Sequence, residues 1–295
     1  MEFDIGEQVR WRGQVAGEIP GYDNVIVGGM GGSALPARAL FYLEPTYPVW
    51  LHNDYALPEK VTGSPLFIAI SYSGNTSETL SFAESAIDKG HHVAAITSGG
   101  KLLELAASKN LPHIKVPEGL QPRDGVTYML QALLTLLNKE DLLQPDVEPD
   151  DTLGEEIAKD LEGTLPLIYA SRANNVLTYI WKVILNETAK IPAFANVFPE
   201  LTHNEVQGIV GSENVKILLL KDDNDSNGVQ HEMRVFEENA SGHGLRLRVI
   251  DLHGSKSEKL LGTLATARRT AHRLAEIRGV DPDNVPFIEE FKKEL

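Results

Sequence analysis

Two short stretches gather small and hydroxylated residues in patterns suited to an anion: GGMGGSAL at 28–35 and SYSGNTSET at 71–79. In the first, Gly31 and Gly32 let backbone N–H groups approach a ligand closely, Ser33 adds a hydroxyl, and a helix follows directly. In the second, Ser71, Ser73, Thr76 and Ser77 offer hydroxyl donors, Gly74 permits a tight turn, and a helix starts near Thr76. Neutral donors combined with a helix N-terminus make a phosphate cradle that needs no lysine. Gly29, Gly31 and Ala34 also satisfy the spacing of a dinucleotide-binding fingerprint, with Asp54 near the distance of a ribose-binding acid. A dinucleotide enzyme has no need of the second hydroxyl-rich loop, so the pair favours a single phosphate monoester. Asp54 then reads as a turn residue after the second strand.

Reactive side chains lie further along. Glu187 stands in LNETAKIPA (185–193), His203 in HNEVQG (203–208), Arg123 in QPRDG (121–125), and Lys292 in the terminal FIEEFKKEL, with Lys293 beside it as an alternative. A carboxylate pressed among apolar neighbours can have its pKa raised toward neutrality and act as a base. An imidazole titrates near working pH, and a guanidinium keeps a permanent, directional charge. Taken singly, each residue also fits an ordinary role: an exposed helical glutamate near Lys190, a solvated histidine at a helix start, a surface arginine, a lysine at a helix end.

The elements that must hold these residues alternate. Runs with apolar, often β-branched centres occur at 24–30, 47–53, 66–73, 91–98 and 113–119. Amphipathic segments separate them near 33–43, 77–89 and 101–109, and a longer helix follows near 125–139. That rhythm predicts βαβ units, hence a parallel sheet with helices on both faces. An acidic, proline-bearing stretch at 142–155 reads as a linker. The pattern then resumes, with strands at 165–171, 194–198, 215–221 and 244–254 and helices near 174–189, 228–239 and 257–278. Two similar α/β halves follow, 1–145 and 146–295, in the manner of an internal duplication.

Composition narrows the function. The 295 residues carry 42 acidic against 27 basic side chains, a formal net charge of −15, which argues against nonspecific nucleic-acid binding. There are no cysteines, so disulfides, thiolate nucleophiles and cysteine metal sites are excluded. Neither a signal-peptide core nor a membrane-length apolar run is present, which predicts a soluble, cytoplasmic chain with no membrane partner. DNDSNG at 223–228 opens like an EF-hand loop, but its twelfth position is Arg234 and a strand-like run precedes it, so calcium is rejected. No histidine or acidic cluster has zinc-ligand spacing.

GMGGSA and SYSGNTSET resemble the two phosphate-site loops of sugar isomerase (SIS) domains. With the doubled layout and the LNETAKIPA, HNEVQG and QPRDG segments, the chain resembles the bifunctional phosphoglucose/phosphomannose isomerases from about Gly28 to Lys292. The resemblance implies two SIS-type subdomains, each a three-layer αβα unit, and interconversion of glucose 6-phosphate and mannose 6-phosphate with fructose 6-phosphate through a cis-enediol. It places phosphate at Gly31, Gly32, Ser33, Ser71, Ser73 and Thr76. It makes Glu187 the proton-transfer base, Arg123 the enediolate cation, His203 the ring-opening group and Lys292 its helper. It implies a homodimer in which His203 serves the neighbouring subunit's site, with no cofactor and no metal. One departure stands out: SALPARAL follows the first loop where a more glycine-rich sequence is the family pattern, so Pro36 is expected to alter the helix start. The alternatives are a sugar-phosphate-binding SIS regulator and an SIS enzyme for another phosphosugar.

Overall fold

The computed structural model describes residues 3–143 and 151–293, apart from the side chains of Glu289, Lys292 and Lys293. These residues form two compact units. The first runs α1 (Ile5–Arg10), β1 (Asn24–Gly28), α2 (Leu35–Leu43), β2 (Val49–His52), β3 (Pro65–Ile70), α3 (Ser77–Asp88), β4 (His92–Thr97), α4 (Gly100–Ser108), β5 (His113–Lys115) and α5 (Val126–Leu136). Its strands form a parallel sheet in the order β2-β1-β3-β4-β5.

Side chains alternate between the faces of a strand, and here both faces are covered. On one face Ile26, Phe67, Ala69, Val93 and Ala95 pack with Phe82, Ala83 and Ala86 of α3 and Leu102 and Ala106 of α4. The alternate residues Val25, Val27, Leu66, Ile68, Ala94 and Ile96 are just as buried on the other face, the side of α2 and α5. Each such aliphatic side chain contributes about 1.5–3 kcal/mol by leaving water. Covering both faces explains why β1 and β3 read as unbroken apolar runs.

The second unit runs α6 (Asp151–Leu161), β6 (Leu165–Ser171), α7 (Asn175–Ile184), β7 (Phe194–Phe198), α8 (Leu201–Asn204), α9 (Val206–Ile209), β8 (Val215–Asp222), α10 (Asn227–Ala240), β9 (Arg246–Leu252), α11 (Lys256–Arg278) and α12 (Pro286–Lys293). Its parallel sheet has the order β7-β6-β8-β9. Leu167, Tyr169, Ile217 and Leu219 meet Met233, Phe236 and Ala240 of α10 on one face. Helices α6, α7 and α11 pack together as a second layer. The two sheets repeat one winding, first strand inside and second strand at the edge, and the second sheet lacks a counterpart of β5 among the described residues.

Part of the acidic stretch read as a linker is helical. From Asp151 onward α6 buries Ile157 and Leu161 four residues apart, and its Gly154 carbonyl accepts a hydrogen bond from the Thr270 hydroxyl at 3.1 Å. Apolar spacing there outweighs the local acidity. The rest of that stretch, 144–150, lies outside the described residues. No helix among the described residues is long and apolar enough to cross a membrane.

Gly28 ends β1 where a Cβ would lie 2.4 Å from the Phe82 ring. Gly28→Ala is expected to lower unfolding stability by about 1–3 kcal/mol through overpacking, read as a reduced urea midpoint with unchanged slope. Wild-type stability would mean that α3 does not sit tightly on β1.

Candidate active site

In the first sheet the chain leaves β1 toward β2 on one side and then returns to place β3 on the other. Consecutive crossovers therefore part between β1 and β3, and a crevice opens beyond their carboxyl ends, where doubly wound sheets bind ligands. Both hydroxyl-rich loops leave from these two strands.

They are joined to each other. The Ser33 hydroxyl accepts the Tyr72 N–H at 3.0 Å, both residues being buried. The Ser71 hydroxyl lies 2.9 Å from that of Thr76 and accepts the Gly74 N–H at 3.1 Å, while the exposed Ser73 hydroxyl accepts the Asn75 N–H at 3.3 Å. Thr76 is the N-cap residue of α3, yet its side chain makes no capping bond. The first-turn amides of this twelve-residue helix thus point at the loop without a side-chain cap, as an anion site requires. Gly31 has a φ of +51°, and Gly31–Ala34 forms a single 3-10 turn before α2. Pro36 is accepted in the first turn of α2, which starts at Leu35 and is not broken by it.

Arg123 belongs to the same place. A Cβ on Gly32 would lie 2.8 Å from the Arg123 backbone nitrogen and 2.9 Å from the Pro122 carbonyl carbon, so the segment at 122–123 rests directly on the first loop. The guanidinium-bearing residue is 4% exposed. The first unit thus brings together Gly31, Gly32, Ser33, Ser71, Ser73, Thr76 and Arg123. Asp54 stands apart, exposed in a bend, accepting the Tyr55 N–H at 2.7 Å.

Glu187 and His203 belong to the second unit and are not brought together. Glu187 is half-buried in a π-turn, Leu185–Ala189, that extends α7. Such turns are rare and recur at functional sites. Lys190, in the left-handed region at φ +55°, closes it, its ammonium donating to the Glu187 carbonyl and to the Pro282 carbonyl, the latter at 3.3 Å. This turn precedes β7, whereas His203, exposed on α8, follows it. The two residues therefore stand at opposite ends of a strand about 13 Å long. Beside His203, the Glu205 carboxylate accepts the Tyr169 hydroxyl at 2.6 Å and the Asn196 amide at 2.5 Å. Burial and the Glu205 bond push the Tyr169 phenol well above its ordinary range. Lys292 lies on α12.

The second sheet has its own switch point, between β6 and β8, and it is filled. Lys259 donates to both oxygens of Asp222 at 2.7 Å, with side chains only 3% and 6% exposed. The Asn174 amide donates to Ser171, Asp222 and Asp225 at 3.0, 3.1 and 3.3 Å. Burial works against the Asp222 charge, but Lys259, the Asn224 N–H and Asn174 outweigh it and hold the carboxyl below its ordinary range. Burial pushes Asp225 up. The segment that opens like an EF-hand thus follows β8 directly and turns Asp225 inward toward Asn174. Sequence reasoning missed this cluster, Tyr72 and the π-turn. Only the Asp-rich run after an apolar strand signalled the first.

Residues 150–295 match the bacterial phospho-glucose isomerase C-terminal SIS domain family. A bifunctional phosphoglucose/phosphomannose isomerase of Thermoplasma acidophilum is 34% identical, across 100% of this chain and 98% of the relative. The chain belongs to that isomerase family. Its relatives also include a D-glucosamine-6-phosphate 4-epimerase of Sulfolobus acidocaldarius, 32% identical over 65% of this chain and 67% of that one. Among solved structures, a hypothetical protein from Thermus thermophilus shares the fold with a TM-score of 0.75 and 17% identity, covering 92% of this chain and 82% of that one. Family membership covers both units; among the described residues the first switch point gathers neutral hydroxyls and amides, and the second has an internal ion pair in the equivalent place.

Removing one partner of a buried pair leaves an uncompensated charge. Lys259→Met is expected to cost about 3–5 kcal/mol, measured by urea unfolding at neutral pH. A loss below about 1 kcal/mol would mean that water reaches the pair.

Proposed function

We propose that the protein interconverts glucose 6-phosphate and mannose 6-phosphate with fructose 6-phosphate. The observation that carries this reading is the joined pair of hydroxyl-rich loops at the β1/β3 switch point, with Arg123 packed against them. The phosphate of the sugar occupies Ser33, Ser71, Ser73, Thr76 and the amides of Gly31, Gly32 and the α3 N-terminus. Glu187 removes the C2 proton of the aldose and returns it to C1. The intermediate enediolate carries its negative oxygen toward Arg123, whose charge does not depend on pH. His203 opens the sugar ring, with Lys292 assisting. The similarity to a glucosamine-6-phosphate epimerase makes amino-sugar phosphates the second substrate class to assay. Such substrates are cytoplasmic, and we assign the chain to that compartment.

The working unit in this reading is a homodimer in which His203 completes the partner's site. Two observations support it. His203 is exposed on the helix that follows β7, whereas Glu187 lies in the turn that precedes that strand. A largely apolar groove of about 460 Å³, lined by Val206, Val210, Val235, Phe236 and Leu245 among others, flanks the helix that carries His203.

A coupled assay of fructose 6-phosphate conversion tests the activity. Glu187→Gln is expected to lower turnover by about 10²–10⁴-fold while fructose 6-phosphate binding persists. Near-wild-type turnover would remove Glu187 from the chemistry. Mixing Glu187→Gln with His203→Ala protein and allowing subunits to exchange tests the dimer. Random reassortment makes about half of the dimers mixed, each with one intact site of two, so about a quarter of wild-type activity should return. No recovery, with exchange verified by mass, would place both residues in one chain's site.

A further inference from the structure

Tyr72 lies inside the second hydroxyl-rich loop, and its bonds run in three directions. Its N–H donates to the Ser33 hydroxyl at 3.0 Å, tying the second loop to the first. Its carbonyl accepts the Ser98 hydroxyl at 2.6 Å and the Ser98 N–H at 2.9 Å, tying the loop to the end of β4. Its phenol crosses to the segment after β5, donating to the Pro117 carbonyl at 2.8 Å and accepting the Leu120 N–H at 3.1 Å. The ring is 4% exposed and packs against Gly125, where a Cβ would lie 2.6 Å from it. Burial raises the phenol pKa, so the hydroxyl stays protonated and remains a donor.

Residues 117–125 form no strand or helix, and they carry Arg123. Their path is held at Pro117 and Leu120 by the Tyr72 hydroxyl, at Gly125 by its ring, and at Asp124 by the Gln8 amide, which donates to its carbonyl at 2.8 Å. Tyr72 therefore bonds to the phosphate loops through its backbone and to the Arg123 segment through its side chain.

We infer that Tyr72 is a positioning residue that holds Arg123 in register with the phosphate loops, so that gripping the phosphate places the guanidinium at the developing enediolate. This rests on the proposed role of Arg123. Interactions that sharpen only in the transition state alter kcat, whereas those that hold the phosphate alter KM and kcat/KM alike.

The test is Tyr72→Phe, which deletes one oxygen and keeps the ring, measured alongside Arg123→Ala and the double variant. Tyr72→Phe should lower kcat about tenfold, the scale of two hydrogen bonds partly transmitted to the barrier. The KM for fructose 6-phosphate and the inhibition constant of inorganic phosphate should stay within about twofold of wild type, which also shows that the loops remain folded. The double variant should be no slower than Arg123→Ala, because residues acting as one unit are not additive. An unchanged kcat in Tyr72→Phe overturns the inference. So does a weakened phosphate inhibition that parallels the loss of kcat, or a double variant slower by the full Tyr72→Phe factor. If Arg123→Ala turns over like wild type, the role of Arg123 itself fails. If wild-type protein shows no isomerase activity, the proposed function fails instead, so the three failures are separable.

Discussion

Parallel strands cannot be joined by a hairpin, so each connection must carry the chain back over one face of the sheet in a right-handed crossover. That constraint decides where this molecule can bind a ligand. A sheet whose crossovers all pass over one face leaves no gap at its carboxyl edge; one that starts in the middle and winds both ways must leave one. In the first unit the gap lies between β1 and β3, and the chain places clustered glycines and serines there. The sheet itself needs only apolar side chains on both faces, which leaves the loop sequences free to carry the chemistry.

The same winding occurs twice with opposite outcomes. At the β1/β3 edge the polar groups are neutral hydroxyls and amides, arranged so that Ser33, Ser71 and Thr76 bond to one another and to backbone N–H groups. At the β6/β8 edge, Asp222 and Asp225 surround a single lysine, with Asn174 linking them. An anion entering there would meet two carboxylates in a poorly solvated place, where like charge is not screened. The two crevices share one winding, and in the second an internal ion pair occupies the place.

Much of this was legible in the sequence, for identifiable reasons. Strands buried on both faces write themselves as unbroken apolar runs, and each described strand fell where an apolar-centred run stood. The phosphate loops were legible because clustered glycine and serine at a strand end serve little but a tight turn or a bound anion. Tyr72 was not, although it sits in the middle of the SYSGNTSET motif. Hydroxyl-bearing serines advertise a ligand, while a tyrosine's meaning depends on which way the chain leaving the strand turns its ring. The Lys259–Asp222 pair was hidden for a different reason: 37 residues separate its members, and no local pattern links the first turn of α11 to the end of β8. The start of α6 was obscured by the acidic residues around it, since charge marks a linker as readily as a solvated helix face.

Glu187 shows where local and global requirements conflict. The π-turn adds a residue to the helical repeat and so rotates the chain beyond it, and Lys190 then adopts a left-handed conformation to end it. Neither feature favours stability by itself: both need the tethers from the Lys190 ammonium to the Glu187 and Pro282 carbonyls, and from the Asn186 side chain to the Ala193 N–H. The irregularity sets the direction of the Glu187 side chain, which a regular continuation of α7 would not share. His203 faces no such demand. It sits on a short exposed turn, backed by the Glu205–Tyr169 bond, a geometry suited to presenting a side chain outward and unsuited to reaching back along β7.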